Sequence, residues 1–198
     1  MVFPITYFGP TPYFQDLMRC PDATFEQMER FPKQTWRNRM SILTANGVLN
    51  LSVPCKKPHG NQTLTKEVEI DYGASWQKDH WGAIESAYRH APYFFYYGDF
   101  VHDIIFKKYP SLLAMNLAIT QQIYHWLDFE WKAKLTEDYE VIADQSEDKR
   151  WIYSQKQLNF KQNRYLQVFS DQLPFAPNLS ILDLLMNEGP LARKYLLG

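Results

Sequence analysis

The stretch Thr35-Trp-Arg-Asn-Arg-Met-Ser-Ile-Leu-Thr-Ala-Asn-Gly-Val-Leu-Asn-Leu-Ser-Val-Pro-Cys-Lys56 carries the clearest local structure in the chain. Two strand-like runs flank Asn46-Gly47, which is the strongest short signal for a β-hairpin. A two-residue turn at this dipeptide pairs Ala45 with Val48. Counting outward from that pair fixes the register of the whole hairpin.

The predicted register separates an apolar face from a basic one. Met40 faces Val53 on the apolar face, and Asn38, which shares that face, must be hydrogen-bonded if it is buried. Asn38 would then either orient a substrate or tie down the hairpin. The basic groups that we expect to converge at the open end of the other face are Arg37, Arg39 and Lys56.

Like charges directly opposite one another are unfavourable, so this basic cluster needs compensation. One interpretation is an anion site for phosphate or carboxylate, which the arginine fork suits well. The other is neutralisation by the acidic side chains of the next predicted strand, Glu67, Glu69 and Asp71.

Hydrophobic periodicity predicts the remaining elements. Short apolar or alternating runs indicate strands at residues 2–7, 24–30 and 66–71 and around 131–135. A period near 3.6 indicates helices starting close to Pro12, Trp76, Asp99, Leu112 and Ile181. We expect Ser111 to cap the fourth of these helices, and Ser180 with Asp183 to form a capping box at the start of the fifth. The polar stretch 144–164 reads as a mobile loop. We expect an α/β or α+β domain in which a mixed sheet, including the Asn-Gly hairpin, packs against a helical segment spanning about 75–127.

Composition restricts the class of protein. The 198 residues suit a single domain, 1–198, and the formal net charge of −1 argues against bulk nucleic-acid binding. Cys20 and Cys55 lie in no metal-ligand spacing. No signal-peptide run and no membrane-spanning run of about 18 apolar residues is visible. We expect a cytoplasmic protein with a small-molecule ligand, no metal and no nucleic-acid partner.

Several motifs in order make the chain resemble the WbqC-like family of bacterial proteins. They are Tyr7-Phe-Gly-Pro10, Gln34-Thr-Trp-Arg-Asn-Arg39, Leu51-Ser-Val-Pro54, Trp76 with His80-Trp81, Tyr165-Leu-Gln-Val-Phe169 and the ending Asn178 to Pro190. The resemblance covers most of the chain. Where many members carry paired aspartates after the second strand, this chain has Phe25-Glu-Gln-Met-Glu29. If those carboxylates take part in chemistry, either Glu26 or Glu29 substitutes for them or the activity of this chain differs.

The resemblance implies a role in surface polysaccharide synthesis of the O-antigen type. Family members are often encoded among genes for that process and have been suggested to transfer glycine or a similar acyl group onto sugars. The implied function is acyl or aminoacyl transfer to an activated sugar, such as a nucleotide sugar. The alternative is a non-catalytic sugar- or nucleotide-binding protein or assembly factor of the same pathway. No cofactor is identified.

The candidate catalytic residue is His80, which lies on the apolar face of its predicted helix. As a general base it would deprotonate an acceptor amine or hydroxyl; the alternative is a satisfied core histidine. Candidates for substrate binding are Tyr7, Arg37, Asn38, Arg39 and Lys56.

Overall fold

A computed structural model describes residues 1–198 apart from 33, 133, 143, 145, 155–159 and 161. The strands are β1 (Val2–Pro4), β2 (Thr24–Glu26), β3 (Arg39–Thr44), β4 (Gly47–Ser52), β5 (Cys55–Lys56), β6 (Glu69–Ile70) and β7 (Lys134–Leu135). The helices are α1 (Thr11–Met18), α2 (Trp76–Tyr88), α3 (Phe94–Phe106), α4 (Leu112–Trp126), α5 (Lys149–Ile152), α6 (Ile181–Glu188) and α7 (Ala192–Leu197). The chain is an α+β protein, which is one of the two predicted fold classes.

The described strands form three small sheets, and this corrects the expectation of one mixed sheet. The central sheet has the order β1-β2-β7 and is parallel throughout, with Phe25 of β2 opposite both Phe3 and Leu135. In a parallel sheet the carboxyl ends of all strands meet at one edge, where ligands commonly bind. That edge carries Glu26 at the end of β2 and Thr136 just after β7.

Strands β3 and β4 pair antiparallel, but not in the predicted register. Met40 faces Leu51 instead of Val53, because the two turn residues are Ala45 and Asn46. A type I′ turn needs positive φ at both central residues, whereas here only Gly47 has it, at 100°. The register therefore moves by two residues. An even shift leaves every side chain on its original face, so Met40 remains fully buried.

The helices cover the small sheets and supply most of the core. Ser111 caps α4 as predicted, its Oγ accepting a hydrogen bond from Ala114 N at 3.1 Å. Helix α3 begins at Phe94, earlier than the predicted start near Asp99, so it absorbs much of the aromatic run. Fully buried side chains on these helices include Ile84, Val101, Ile105, Met115, Ile119 and Ile123.

The loop before α1 is held by a segment far along the chain. Thr11 N donates to Leu179 O, Ile181 N donates to Gly9 O, and Ser180 Oγ donates to Phe8 O. These bonds hold Phe8 at a φ of 42°, which a bulky side chain rarely adopts. Residues 179–181 therefore supply the contacts that support this unfavourable backbone conformation.

The predicted mobile loop at 144–164 falls partly on residues 145, 155–159 and 161, which lie outside the described part of the chain. Its described part contains α5, with Arg150 almost fully buried. Tyr153 is also buried, and its hydroxyl donates to Pro12 O at 2.9 Å.

Candidate functional site

Glu26 holds the first of two buried ion pairs at the carboxyl edge of the parallel sheet. Its Oε2 lies 2.5 Å from Nη1 of Arg150, and the Thr136 hydroxyl donates to its Oε1 at 2.7 Å. Arg150 also pairs with Asp148, and that hydrogen bonding raises the pKa of the guanidinium further above its usual range. Every charge in this group has a partner, as burial demands.

Glu29 and Arg37 form the second pair. Arg37 Nε and Nη2 donate to the two carboxylate oxygens at 2.6 and 2.8 Å, the bidentate geometry that arginine favours. The guanidinium is buried, and Asn116 Nδ2 donates to the Arg37 carbonyl at 2.7 Å. Arg37 lies in the turn that precedes β3, so strand alternation does not decide its direction.

The predicted convergence of Arg37, Arg39 and Lys56 on one face is therefore wrong. Arg37 points into the protein, Arg39 Nε donates to Ser52 Oγ at 3.1 Å, and Lys56 pairs with Asp71 at 3.3 Å. The neutralising interpretation thus applies to Lys56. The binding roles of Arg37, Arg39 and Lys56 stay predictions.

A cavity of about 470 Å³ lies beside the Glu29–Arg37 pair. We call it the carboxyl-edge cavity; its lining residues are Met28, Glu29, Arg30, Leu64 and Tyr139. Leu64 is placed there because residues 29–31 run antiparallel to 63–65, with Thr65 N donating to Glu29 O at 2.9 Å. The Tyr139 ring lies over the Arg150 guanidinium at 4.7 Å. The exposed Arg30 has no ion-pair partner within the described part of the chain.

His80 and Tyr7 form a buried neutral pair. The Tyr7 hydroxyl lies 2.9 Å from His80 Nδ1, and burial raises the pKa of Tyr7, so the phenol stays protonated. Burial lowers the pKa of His80 to about 4, and hydrogen bonding to the Ser52 backbone opposes that shift. The ring is therefore neutral at physiological pH and already engaged. This favours the core-histidine interpretation, while the catalytic role of His80 and the binding role of Tyr7 stay predictions.

Asn38 ties the base of the hairpin together. Its Nδ2 donates to Val53 O at 3.0 Å, and Val53 N donates to Asn38 O at 2.8 Å. The neighbouring Cys55 is a poor nucleophile, because burial raises the pKa of its thiol to about 12. The side chain of Asn38 therefore stabilises the hairpin, and its substrate-binding role stays a prediction.

Asp183 does not complete the capping box that its spacing from Ser180 suggests. Ser180 Oγ accepts from Leu182 N at 3.2 Å, but the Asp183 carboxyl turns inward and accepts hydrogen bonds from Tyr88, Tyr165 and Gln167. Burial raises the pKa of Asp183, and these three donors oppose the shift. A side chain one methylene shorter than glutamate is well placed to serve this internal junction.

The residues that sequence reasoning missed at the carboxyl edge are Arg30, Tyr139 and Arg150. Arg30 follows Glu29 directly, in the segment where many family members carry paired aspartates, so the sequence could have indicated it as a candidate. Arg150 and Tyr139 lie in polar, aperiodic sequence, and Arg150 meets Glu26 across 124 residues. No local sequence pattern predicts a contact between residues so far apart.

The described geometry defines an α+β protein with a charged cavity at the carboxyl edge of a parallel sheet. The chain belongs to the WbqC-like protein family, whose model matches residues 6–169. It is similar to the uncharacterized protein Rv1507c of Mycobacterium tuberculosis (strain ATCC 25618 / H37Rv). The identity is 25% over 194 residues, covering 84% of each chain. No solved structure gives a significant match. Among the described helices, none has the length and apolar character needed to cross a membrane.

Proposed function

We propose that this protein is an enzyme that transfers an acyl or aminoacyl group, such as glycyl, to an activated sugar during synthesis of a bacterial surface polysaccharide. The observation that carries the proposal is the carboxyl-edge cavity, in which Glu29 and Arg30 stand side by side. The pathway is what the family resemblance implies. The cavity supplies the chemical reasons for an activated sugar as the ligand.

Arg30 suits the diphosphate of a nucleotide sugar. Guanidinium groups donate charge-assisted hydrogen bonds to phosphate oxygens, and Arg30 is exposed without an ion-pair partner in the described chain. The half-exposed ring of Tyr139 on the same cavity offers a stacking face for a sugar or a base. The cavity volume of about 470 Å³ lies within the range for small-molecule sites.

Glu29 suits the acceptor group of the sugar. A carboxylate has about four lone-pair positions, and the bidentate contact with Arg37 occupies one on each oxygen. A remaining position can accept a hydrogen bond from the amine or hydroxyl of the sugar. Arg37 holds the carboxylate in place without entering the cavity wall.

In the proposed transfer Glu29 acts as the general base. The sugar nitrogen or oxygen attacks the carbonyl carbon of an acyl donor of the thioester or mixed-anhydride class. The new C–N or C–O bond forms as the bond to the leaving group breaks. Glu29 accepts the proton of the nucleophile and passes it to the departing group.

A specific observation also favours the second candidate, a protein that binds the activated sugar without turnover. Glu29 is held by Arg37, and His80 is engaged with Tyr7, so both candidate bases already have partners. A carboxylate that already accepts two hydrogen bonds from a guanidinium has fewer lone pairs free for a reacting group. The same cavity would then recognise the sugar for another enzyme.

Ligand binding tests the cavity itself. In a thermal-shift titration with a nucleotide-linked amino sugar, Arg30→Ala should weaken affinity about tenfold or more, since one charge-assisted contact contributes roughly 1.5–3 kcal/mol. The matched control is Arg89→Ala, which removes an exposed arginine whose ion-pair partner is Glu85. Both variants should melt like the wild type without ligand. Equal affinity in Arg30→Ala and the wild type would overturn the proposal.

Turnover separates the two candidates. With an acyl thioester and the amino sugar, mass spectrometry should detect the acylated sugar from the wild type and none from Glu29→Gln. Retained sugar binding by Glu29→Gln would show that the base, and not the fold, is lost. Binding by the wild type without product for any donor would favour the binding protein.

A further inference from the structure

A second cavity, of about 590 Å³, lies between α3, α4 and the turn after α6. We call it the aromatic cavity; its lining residues are Tyr93, Tyr96, Tyr97, Phe100, Gln122, His125, Trp126 and Pro190. Five of these eight side chains are aromatic. None is Asp, Glu, Lys or Arg, and none is an aliphatic chain of the Leu, Ile, Val or Met type. The aromatic cavity shares no lining residue with the carboxyl-edge cavity.

The rings form a connected wall. The Trp126 ring centre lies 4.9 Å from that of Tyr97 and 6.2 Å from that of Phe100. Tyr93 lies 6.0 Å from Tyr96 and 6.5 Å from Tyr97 by the same measure. Such tilted and edge-on arrangements are favourable in themselves, so the wall is stable in the absence of a ligand.

Gly189 makes room for the first of these rings. A Cβ at this position would lie 2.3 Å from the Tyr93 ring, and Gly189 has a φ of 55° that other residues rarely adopt. Tyr93 N also donates to Met186 O at 3.0 Å, which fixes its backbone against α6. The end of the Asn178 to Pro190 motif therefore shapes the cavity wall as well as ending a helix. A wall that is ordered in advance lowers the cost of binding.

We propose that the aromatic cavity binds a neutral sugar ring, whose C–H face stacks on the aromatic wall. Without a charged side chain among its described lining residues, the cavity offers a phosphate or carboxylate no opposite charge to offset its desolvation. Its polar groups are tyrosine hydroxyls, the Gln122 amide and the His125 imidazole, and each kind both donates and accepts hydrogen bonds, as a sugar hydroxyl does.

The absence of aliphatic lining argues against a lipid or acyl chain. Flexible chains pack well against equally flexible Leu, Ile and Met side chains, whereas flat, rigid rings match the flat face of another ring. The site does not rest on the proposed function: it would take the uncharged part of a glycan, away from Glu29 and Arg30. A glycan subsite of this kind would let the protein recognise a saccharide longer than one residue.

Saturation-transfer NMR with uncharged methyl glycosides of glucose and N-acetylglucosamine tests the site. Transfer should be strongest to the C–H protons of one ring face. Tyr96→Ala and Phe100→Ala should each weaken binding roughly fivefold, the loss expected for one ring contact. Both side chains are more than half exposed, so these variants should fold. Phe95→Ala is the matched control, because Phe95 is 89% exposed on the same helix and lies outside the cavity.

Each outcome decides for or against the site. Loss in Tyr96→Ala and Phe100→Ala with retention in Phe95→Ala supports it. No transfer to either glycoside, equal loss in all three variants, or transfer only to an alkyl glucoside's chain overturns it. Arg30→Ala should leave glycoside binding unchanged. The neutral sugar site can therefore fail while the carboxyl-edge proposal stands, and the reverse.

Discussion

The carboxyl edge and the aromatic cavity are built on opposite principles. At the carboxyl edge, Glu26, Glu29, Arg37 and Arg150 are buried charges that stabilise one another. In the aromatic cavity none of the described lining side chains carries a permanent charge, and Gly189 leaves room for the Tyr93 ring. In the first region Glu29 therefore belongs both to a stabilising pair and to the proposed ligand site. In the second, exposed rings should be replaceable at little cost to the fold.

The largest effect should come from breaking a buried pair. Arg150→Ala leaves Glu26 as an uncompensated buried carboxylate, and we expect a loss of roughly 3–5 kcal/mol in the free energy of unfolding. Urea denaturation measures it. Arg89→Ala is the control, because both side chains of its i,i+4 pair with Glu85 are exposed and such surface pairs contribute about 0–1 kcal/mol. A loss no larger than that of the control would show that the carboxyl edge is not held by charge pairing.

The Tyr7–His80 pair tests whether a buried neutral group resists becoming charged. The pKa of His80 is about 4 in the folded state against 6.5 unfolded, so the unfolded chain binds more protons between these values. His80 thus contributes stability that is complete above pH 6.5 and declines towards pH 4, by about 3 kcal/mol in total.

In His80→Gln this part of the pH dependence should vanish. Unfolding free energies at pH 7 and near pH 4 should differ less in the variant than in the wild type. The buried Asp183, whose raised pKa acts in the opposite direction, is present in both proteins and cancels in the comparison. Identical pH slopes would mean that His80 is protonated as easily in the folded protein as in the unfolded chain.

The smallest effect should come from the backbone of the aromatic cavity. Gly189→Ala places a methyl group against the Tyr93 ring at a disfavoured φ, which should cost roughly 1–3 kcal/mol and reduce glycoside binding. Gly82→Ala is the matched control. Its Cβ meets open space within α2, so that change should stabilise the protein by about 0.5–1 kcal/mol. If Gly189→Ala keeps full stability and glycoside affinity, the cavity is not shaped by this glycine.

Sequence patterns correctly predicted the features that depend on neighbouring residues in the chain. The cap at Ser111 and the apolar face of Met40 depend on neighbours in sequence, and both are confirmed. The register of the hairpin was missed by two residues, because Asn46 and Gly47 serve equally well in a turn that begins one residue earlier.

Most of the candidate site could not be predicted, because its contacts are long-range or lie in irregular backbone. The sequence pattern placed Arg37 on a strand. Its burial depends on a pair with Glu29, and the segment between the two residues has no periodicity that predicts this contact. The pairing of β7 with β2 joins segments more than 100 residues apart without a sequence signal. In the aromatic run, the Trp126 ring of α4 packs against Tyr97, which is buried, while Tyr96 is left exposed.

The bonds that hold Phe8 also bear on how the chain folds. Thr11 and Leu179 are 168 residues apart, and Phe8 and Ser180 are 172 apart. Contacts of such high sequence separation slow folding, because a long loop must close before they form. During synthesis the loop before α1 therefore lacks these hydrogen bonds until residues 179–181 have left the ribosome. A nascent chain stalled before that point should expose this loop to proteases or chaperones that the finished protein excludes.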